Sequence, residues 1–157
     1  MSLLTIEGLE AALAARIVAV TSTPFVQGIS TEVWAETDLA LTATQDSVLQ
    51  QHLAFSVSVE DAPVADDGNY AENRRLSILA QVQLMYVYRL RTDDQIRDQR
   101  LAATAARYLA AAMMLPDPRW GALNPVTIYR PSAVVNGYLP ILQRYTTGIF
   151  DCPLPGA

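Results

Sequence analysis

The amino-acid sequence predicts an α+β fold in a single domain, with a mainly antiparallel sheet and two helices packed on one face. Long stretches with apolar residues at every second position indicate half-buried strands. Two other stretches repeat apolar residues every three to four positions, as amphipathic helices do. The predicted order is α-β-β-β-α-β-β, and 157 residues, 51% of them hydrophobic, are enough for one core.

The first half of the chain begins with a predicted helix at residues 3–20, whose apolar stripe comprises Ile6, Leu9, Leu13, Ile17 and Val20. Residues 27–30 are expected to form a turn or loop, and residues 32–41 a strand. The stretch 52–60 alternates cleanly and predicts the next strand, with an apolar face of Leu53, Phe55, Val57 and Val59.

The stretch from Arg74 to Met114 organises the rest of the chain. It opens with a long alternation whose apolar members are Leu76, Ile78, Ala80, Val82, Leu84, Tyr86 and Tyr88. About 18 residues at ~3.3 Å each would span ~59 Å. A domain of this size is only roughly 40 Å across. The strand is therefore expected either to bend at a bulge or to project as a long β-hairpin that reaches another subunit.

A helix is predicted directly after this strand. Thr92 to Gln95 has the pattern of a capping box, and the apolar stripe that follows comprises Leu101, Ala105, Tyr108, Leu109, Ala112 and Met113. Pro116 and Pro118 end the helix. Strands at residues 124–129 and 139–150 complete the sheet, and residues 152–157 are expected to form an extended tail.

Residues 61–73 are expected to form an extended acidic loop before the long strand. Its four acidic residues, with no basic one, are Asp61, Asp66, Asp67 and Glu72. Connections of this length tend to be functional or mobile. Two interpretations stay open: a loop tip that a partner orders, or a solvated tip without a role.

Charge is distributed unevenly along the chain. All 11 basic residues are arginine. Residues 1–73 hold 11 acids and one arginine, a net of −10, whereas residues 74–157 hold ten arginines and five acids, a net of +5. The charges either interleave on folding or form an acidic and an arginine-rich surface suited to contact between copies. Besides the four loop acids, the candidate interface or channel-facing residues are Arg74, Arg75, Arg89 and Arg91.

The sequence predicts no enzyme, no cofactor and no metal site. His52 is the single histidine and lies far along the chain from the single cysteine, Cys152, so no base is paired with a nucleophile. The seven glycines form no phosphate-binding loop. A pI near 4.7 disfavours nucleic-acid binding. No apolar run of about 18 residues and no signal peptide are evident, so no membrane contact is expected.

The sequence resembles the tail terminator (tail completion) proteins of tailed bacteriophages over nearly its whole length. The resemblance lies in the N-terminal helix, the acidic loop, the strand RRLSILAQVQLMYVYRL, the helix TDDQIRDQRLAATAARYL and the closing hairpin. It implies a structural virion protein, assembled in the host cytoplasm, that forms a hexameric ring. Such a ring caps the head-proximal end of the tail tube, stops tube polymerisation and joins the neck and connector proteins.

The resemblance also implies that genomic DNA passes through the ring without specific binding, and Asp66 and Asp67 are the residues that we expect to face the channel. It implies no catalytic residues. Other interpretations remain open: another head–tail connector such as a stopper or neck protein, a baseplate protein, or a small α+β ligand-binding protein or enzyme.

Overall fold

The computed structural model describes residues 4–20, 23, 25–27, 52–63, 75–90, 94–134 and 137–153. These residues form α1 (Ile6–Val18), β1 (Val26–Gln27), β2 (Ala54–Pro63), β3 (Arg75–Arg89), α2 (Gln95–Met113), β4 (Asn124–Pro131) and β5 (Tyr138–Pro153). The predicted α+β class is confirmed. The strand predicted at residues 32–41 lies outside the described residues. Within the expected turn at 27–30, Gln27 belongs instead to β1.

The strands form one sheet in the order β1-β2-β3-β5-β4. Every pairing is antiparallel except that of the two-residue β1 with β2. At the centre, β3 pairs with β2 on one side and, along nearly its whole length, with β5 on the other. The 15 residues of β3 span about 50 Å at the usual rise per residue. Strand β5 thus lies beside the hairpin of β2 and β3 and pairs with β3.

Two predicted boundaries were wrong because β2 and β5 are longer than their alternation shows. Strand β2 continues through Asp61 to Pro63, which pairs with Ile78, so the acidic loop does not begin at residue 61. Likewise Cys152 and Pro153 pair with Leu76 and Arg75 rather than starting a free tail. In both cases backbone pairing with β3 extends the strand past the end of the apolar pattern.

A β-bulge interrupts the pairing of β3 with β5. Leu79 pairs with Ile149 and Gln81 with Thr146, so Thr147 and Gly148 together face the single residue Ala80. The Ala80 amide donates a hydrogen bond of 2.9 Å to Oγ1 of Thr147. A buried side chain thus replaces the ladder hydrogen bond that the bulge removes. The sequence predicted a bulge in the long strand itself as one alternative, whereas the extra residue of this bulge lies on β5.

The core lies between one face of the sheet and both helices. From α1 the buried residues Leu9, Leu13 and Ile17 confirm the predicted stripe. From the sheet they meet the alternating face of β2, β3 and β5, whose buried members include Phe55, Val57, Ile78, Val82, Leu84, Tyr86, Ile141 and Tyr145. Helix α2 adds its residues to the same cluster. Both helices therefore pack on one face, as predicted.

Helix α2 begins and packs differently from the prediction. Its N-cap is Asp94, whose Oδ1 accepts the amide of Arg97 at 3.1 Å, and not Thr92. Asp94 is itself a strong capping residue and lies closer to the start of the apolar stripe. The stripe itself is rotated: Leu101 and Tyr108 are exposed, by 40% and 45%, although Ala105, Leu109 and Met113 are buried as expected.

The rotation of α2 has a visible cause in two buried hydrogen bonds from the sheet. The hydroxyl of Tyr86 donates to the carbonyl oxygen of Ala102 at 2.7 Å. Nε2 of Gln143 donates to the carbonyl oxygen of Ala106 at 2.8 Å, and Tyr145 donates to the other end of the Gln143 amide. The alanine face thus approaches the sheet closely, which turns the larger side chains outward.

The turn after α2 joins the two helices. The side chain of Arg16 on α1 donates to the carbonyl oxygens of Met113 and Leu115 and lies 3.6 Å from Asp117. The guanidinium groups of Arg16 and Arg119 lie 4.8 and 4.9 Å from the ring centre of the buried Trp120. These contacts fix the C-terminal end of α2 against α1 and lead the chain into β4.

Candidate functional site

The candidate residues from the sequence do not gather at one place in the described part of the chain. Arg75 and Arg89 are the first and last residues of β3, at opposite ends of the longest strand pair. Asp61 lies in β2 opposite Ala80, nearer the Arg75 end. The other candidates, Asp66, Asp67, Glu72, Arg74 and Arg91, lie outside the described residues.

The most exposed regular element is β4, at one edge of the sheet. Seven of its eight residues are exposed and the eighth, Thr127, is half-buried. Three exposed positions carry apolar side chains: Val126 at 64%, Ile128 at 37% and Tyr129 at 37%. Pro125 and Pro131 lack an amide hydrogen and bound a stretch that retains its backbone donors. An exposed edge with apolar side chains is a template for pairing with another chain.

The opposite side of the sheet is protected. Strand β1 covers only the first two residues of β2. Beyond it, Oε1 of Glu10 on α1 accepts the amide of Val59 at 3.0 Å, and Pro63 has no amide to offer. A side-chain cap and a proline are both ways in which proteins block edge pairing. The asymmetry between the two edges singles out β4.

A shallow groove of about 180 Å³ lies beside β4 on the sheet face away from the helices. Its polar lining residues are Gln81, Gln83, Arg144 and Thr146, and Val126 of β4 borders it. Nε of Arg144 is buried and has no hydrogen-bond partner. No salt bridge joins Arg144 to an acidic residue among those described. The groove therefore holds a guanidinium whose Nε lacks an acceptor among the described residues.

A second concavity of about 460 Å³ lies at the C-terminal end of β3. The structure brings together four polar residues there that are scattered in the sequence: His52, Tyr88, Arg89 and Asp98, with Leu101 as the apolar wall. The sequence alternation placed Tyr88 on the core face and Arg89 on the other. The alternation does not predict that the first turns of α2 bring Asp98 to Tyr88 and Arg89.

His52 is held firmly in this cleft. It lies in a turn before β2, not in the strand as predicted, because Leu53 takes a left-handed backbone conformation with φ 61°. The amide of Leu53 donates to the Val87 carbonyl at 2.7 Å, and the Arg89 amide donates to Nδ1 of His52 at 3.0 Å. The imidazole also packs edge to face on Tyr88, with ring centres 4.6 Å apart.

Electrostatics keep this histidine neutral. Burial lowers the pKa of His52, the nearby Arg89 charge lowers it further, and Asp98 opposes them. Because Nδ1 accepts a backbone hydrogen bond, the ring hydrogen of the neutral form lies on Nε2. A neutral imidazole donor beside a guanidinium is an arrangement that can bind a small anionic group.

The described residues contain no group of three or more histidine, cysteine, aspartate or glutamate side chains that could hold a metal ion. In the same part of the chain, neither helix has the length and apolar character needed to cross a membrane. The sequence matches no protein-family model and no curated protein.

Proposed function

We propose that this protein is a structural subunit that assembles with copies of itself, and specifically a tail-terminator-like protein of a tailed bacteriophage virion. In this role it forms a ring at the head-proximal end of the tail tube, stops tube growth and contacts the neck. The observation that carries the proposal is the edge strand β4, which exposes apolar side chains and pairs on one side only among the described strands.

Edge strands of proteins that stay monomeric are normally short, charged or covered. Both edges carry prolines, but between Pro125 and Pro131 β4 also carries Val126, Ile128 and Tyr129 toward solvent. Covering one edge and leaving the other open suits a contact in which one copy's β4 surface meets a different surface of the next copy. Repetition of such a heterologous contact closes a ring when the rotation between copies allows it.

The terminator assignment itself rests on the resemblance in element order, the long central strand and the charge pattern. The excess of acidic residues in 1–73 suits a channel through which DNA slides, because acids make none of the phosphate contacts that hold DNA. The partners in this role are the tail tube protein and the neck or connector proteins. Catalysis has no part in it.

The proposal is tested by blocking the edge. Val126→Lys places a hydrated charge on an exposed position of β4, where it should leave folding intact and prevent association. Tyr108→Lys is the control, since Tyr108 is an exposed hydrophobic residue on α2, 45% exposed against 64% for Val126. We expect wild type and Tyr108→Lys to form assemblies in sedimentation experiments and to cap tail tubes, and Val126→Lys to do neither. A Val126→Lys protein that assembles as wild type contradicts the role of β4.

A second candidate function is small-ligand binding in the His52 cleft, which the convergence of His52, Tyr88, Arg89 and Asp98 favours. A ligand raises the unfolding temperature in proportion to its occupancy of the folded state. A thermal-shift screen with small carboxylates and phosphates, repeated on Arg89→Gln and on the control Arg97→Gln, tests it. A shift lost only in Arg89→Gln supports binding in the cleft, and an absence of shifts removes this candidate.

A further inference from the structure

We infer that Arg144 receives a carboxylate from a second copy of this chain, and that Glu60 supplies it. The contact deepens and rests on the self-assembly proposed above, because it names the two side chains that join one subunit to the next. It follows from an unpaired cation, an unpaired anion and the faces on which they lie.

The unpaired cation is Arg144. Arg144 is half-buried on β5, and its Nε is shielded from solvent without a hydrogen-bond partner. A buried polar atom left without a partner costs free energy, so an acceptor supplied from outside the chain would be stabilising there. The surrounding groove places the amides of Gln81 and Gln83 beside the guanidinium. A guanidinium with neighbouring amide donors is suited to bind a carboxylate through two parallel hydrogen bonds.

The anion is identified by elimination among the acids whose side chains the structure describes. Glu10 accepts the Val59 amide, Asp94 caps α2, and Asp117 pairs with two arginines. Asp98 and Asp151 have interactions within the chain as well. The acids without such contacts are Glu7 and Glu60. Of these, Glu60 is exposed and lies on the sheet, opposite Gln81 in the β2–β3 register.

The faces agree. Arg144 pairs with Gln83 and Glu60 with Gln81, two residues apart on β3, so both side chains lie on the sheet face away from the helices. Within one chain β3 separates them, and no salt bridge joins them. The anion is on the β2 side and the cation on the β4 side of this face. A second copy shifted along the sheet therefore brings its Glu60 toward Arg144 beside the exposed edge of β4.

The overall charge points to the same partner. The half of the chain that holds Glu60 carries a net charge of −10, and the half that holds Arg144 carries +5. Opposite fields accelerate the encounter of two copies in the orientation that joins acid to arginine, and disfavour the contact of like surfaces. A DNA phosphate is the competing acceptor for Arg144, but the acidic chain as a whole repels DNA.

The test is a charge swap measured by sedimentation equilibrium of the full chain. Arg144→Glu and Glu60→Arg should each weaken self-association by at least about 30-fold, because each leaves two like charges facing one another. The double variant Arg144→Glu with Glu60→Arg restores the opposite pair with its ends exchanged, and should recover most of the lost affinity. Controls with the same change of charge are Arg107→Glu and Glu7→Arg, at exposed positions on the helices; both should associate as wild type.

Circular dichroism spectra and unfolding midpoints of all variants distinguish loss of association from loss of folding. Because Glu60 is exposed, Glu60→Arg should fold as wild type. If wild type assembles and either Arg144→Glu or Glu60→Arg associates as strongly, the Glu60–Arg144 contact is overturned. The proposed function is not affected by that result. Failure of the double variant to recover also overturns the pairing. A wild-type chain that stays monomeric and does not cap tail tubes overturns the self-assembly itself. If the wild-type protein binds a DNA fragment and Arg144→Glu does not, the groove binds phosphate instead of Glu60.

Discussion

The hydroxyl of Thr147 accepts the backbone amide of Ala80 at 2.9 Å and lies 3.4 Å from the carbonyl oxygen of the same residue. One buried side chain thereby takes over both polar groups of Ala80 at the bulge between β3 and β5. The extra residue of the bulge lies on β5, and this contact satisfies the polar groups of Ala80 that lose their ladder partners there.

Thr147→Val therefore tests the bulge directly. Valine fills the same volume but accepts no hydrogen bond, so the buried Ala80 amide is left unsatisfied at a cost of about 1–3 kcal/mol in the free energy of unfolding. Thr147→Ser retains the hydroxyl and should lose less. Urea unfolding of the two variants decides the point, and a larger loss in Thr147→Ser than in Thr147→Val would assign the effect to packing rather than to the hydrogen bond.

The contact between Thr147 and Ala80 shows which features of the fold the sequence pattern predicts and which it does not. The alternation of β3 predicted its buried face correctly, because a period of two allows only one choice of faces when Leu84 and Tyr86 must be buried. Nothing in the alternation marks a threonine in β5 as the residue that completes a bulge 67 positions away. Contacts between distant segments depend on register, which the local pattern does not contain.

The same distinction holds for α2 and for the candidate sites. Helical periodicity located α2 but assigned Leu101 and Tyr108 to the core, since it could not include the hydrogen bonds from Tyr86 and Gln143 that select the alanine face. Charge counting indicated an arginine-rich half. It did not single out Arg144, whose proposed role rests on the missing partner of one buried atom.

Leu84→Asp should abolish folding. Leu84 is fully buried at the middle of β3, and an unpaired carboxylate there costs more than about 4 kcal/mol, a large part of the stability of a typical domain. Gln81→Asp is the control, since Gln81 lies on the same strand and is exposed on the other face. Soluble expression and circular dichroism distinguish them; a folded Leu84→Asp protein contradicts the assigned core face.

Trp120 should be the most sensitive position outside the sheet. It is 2% exposed between the guanidinium groups of Arg16 and Arg119. Trp120→Ala leaves a cavity and removes both cation–π contacts, with an expected loss of about 3–5 kcal/mol. Trp120→Phe should lose much less, because it keeps a ring and removes an indole Nε1 that is buried without a partner. Thermal unfolding measures both, and equal losses contradict the importance of the ring contacts.

His52 should make stability depend on pH near neutrality. Its pKa in the folded chain lies below the ordinary 6.5, chiefly because of burial and then because of Arg89. The unfolded chain therefore binds the proton more readily. The stabilisation from neutral His52 is present above about pH 6.5 and is lost as the pH falls below that value.

The matched variant for this effect is His52→Asn, which keeps a side-chain acceptor for the Arg89 amide and does not titrate. Urea midpoints between about pH 7.5 and pH 5.5 should fall for wild type and change less for the variant, because carboxylates titrate mainly below this window. Parallel curves for the two proteins would show that His52 is not the responsible group.

The most direct measurement of self-assembly is negative-stain imaging of the purified protein at high concentration, together with its mass in solution and, where it stays small, the addition of tail tubes. We expect rings with six-fold symmetry and a central hole, or rings that form on the ends of the tubes and limit their length. A protein that remains monomeric at every concentration and leaves tube growth unchanged contradicts the proposed function.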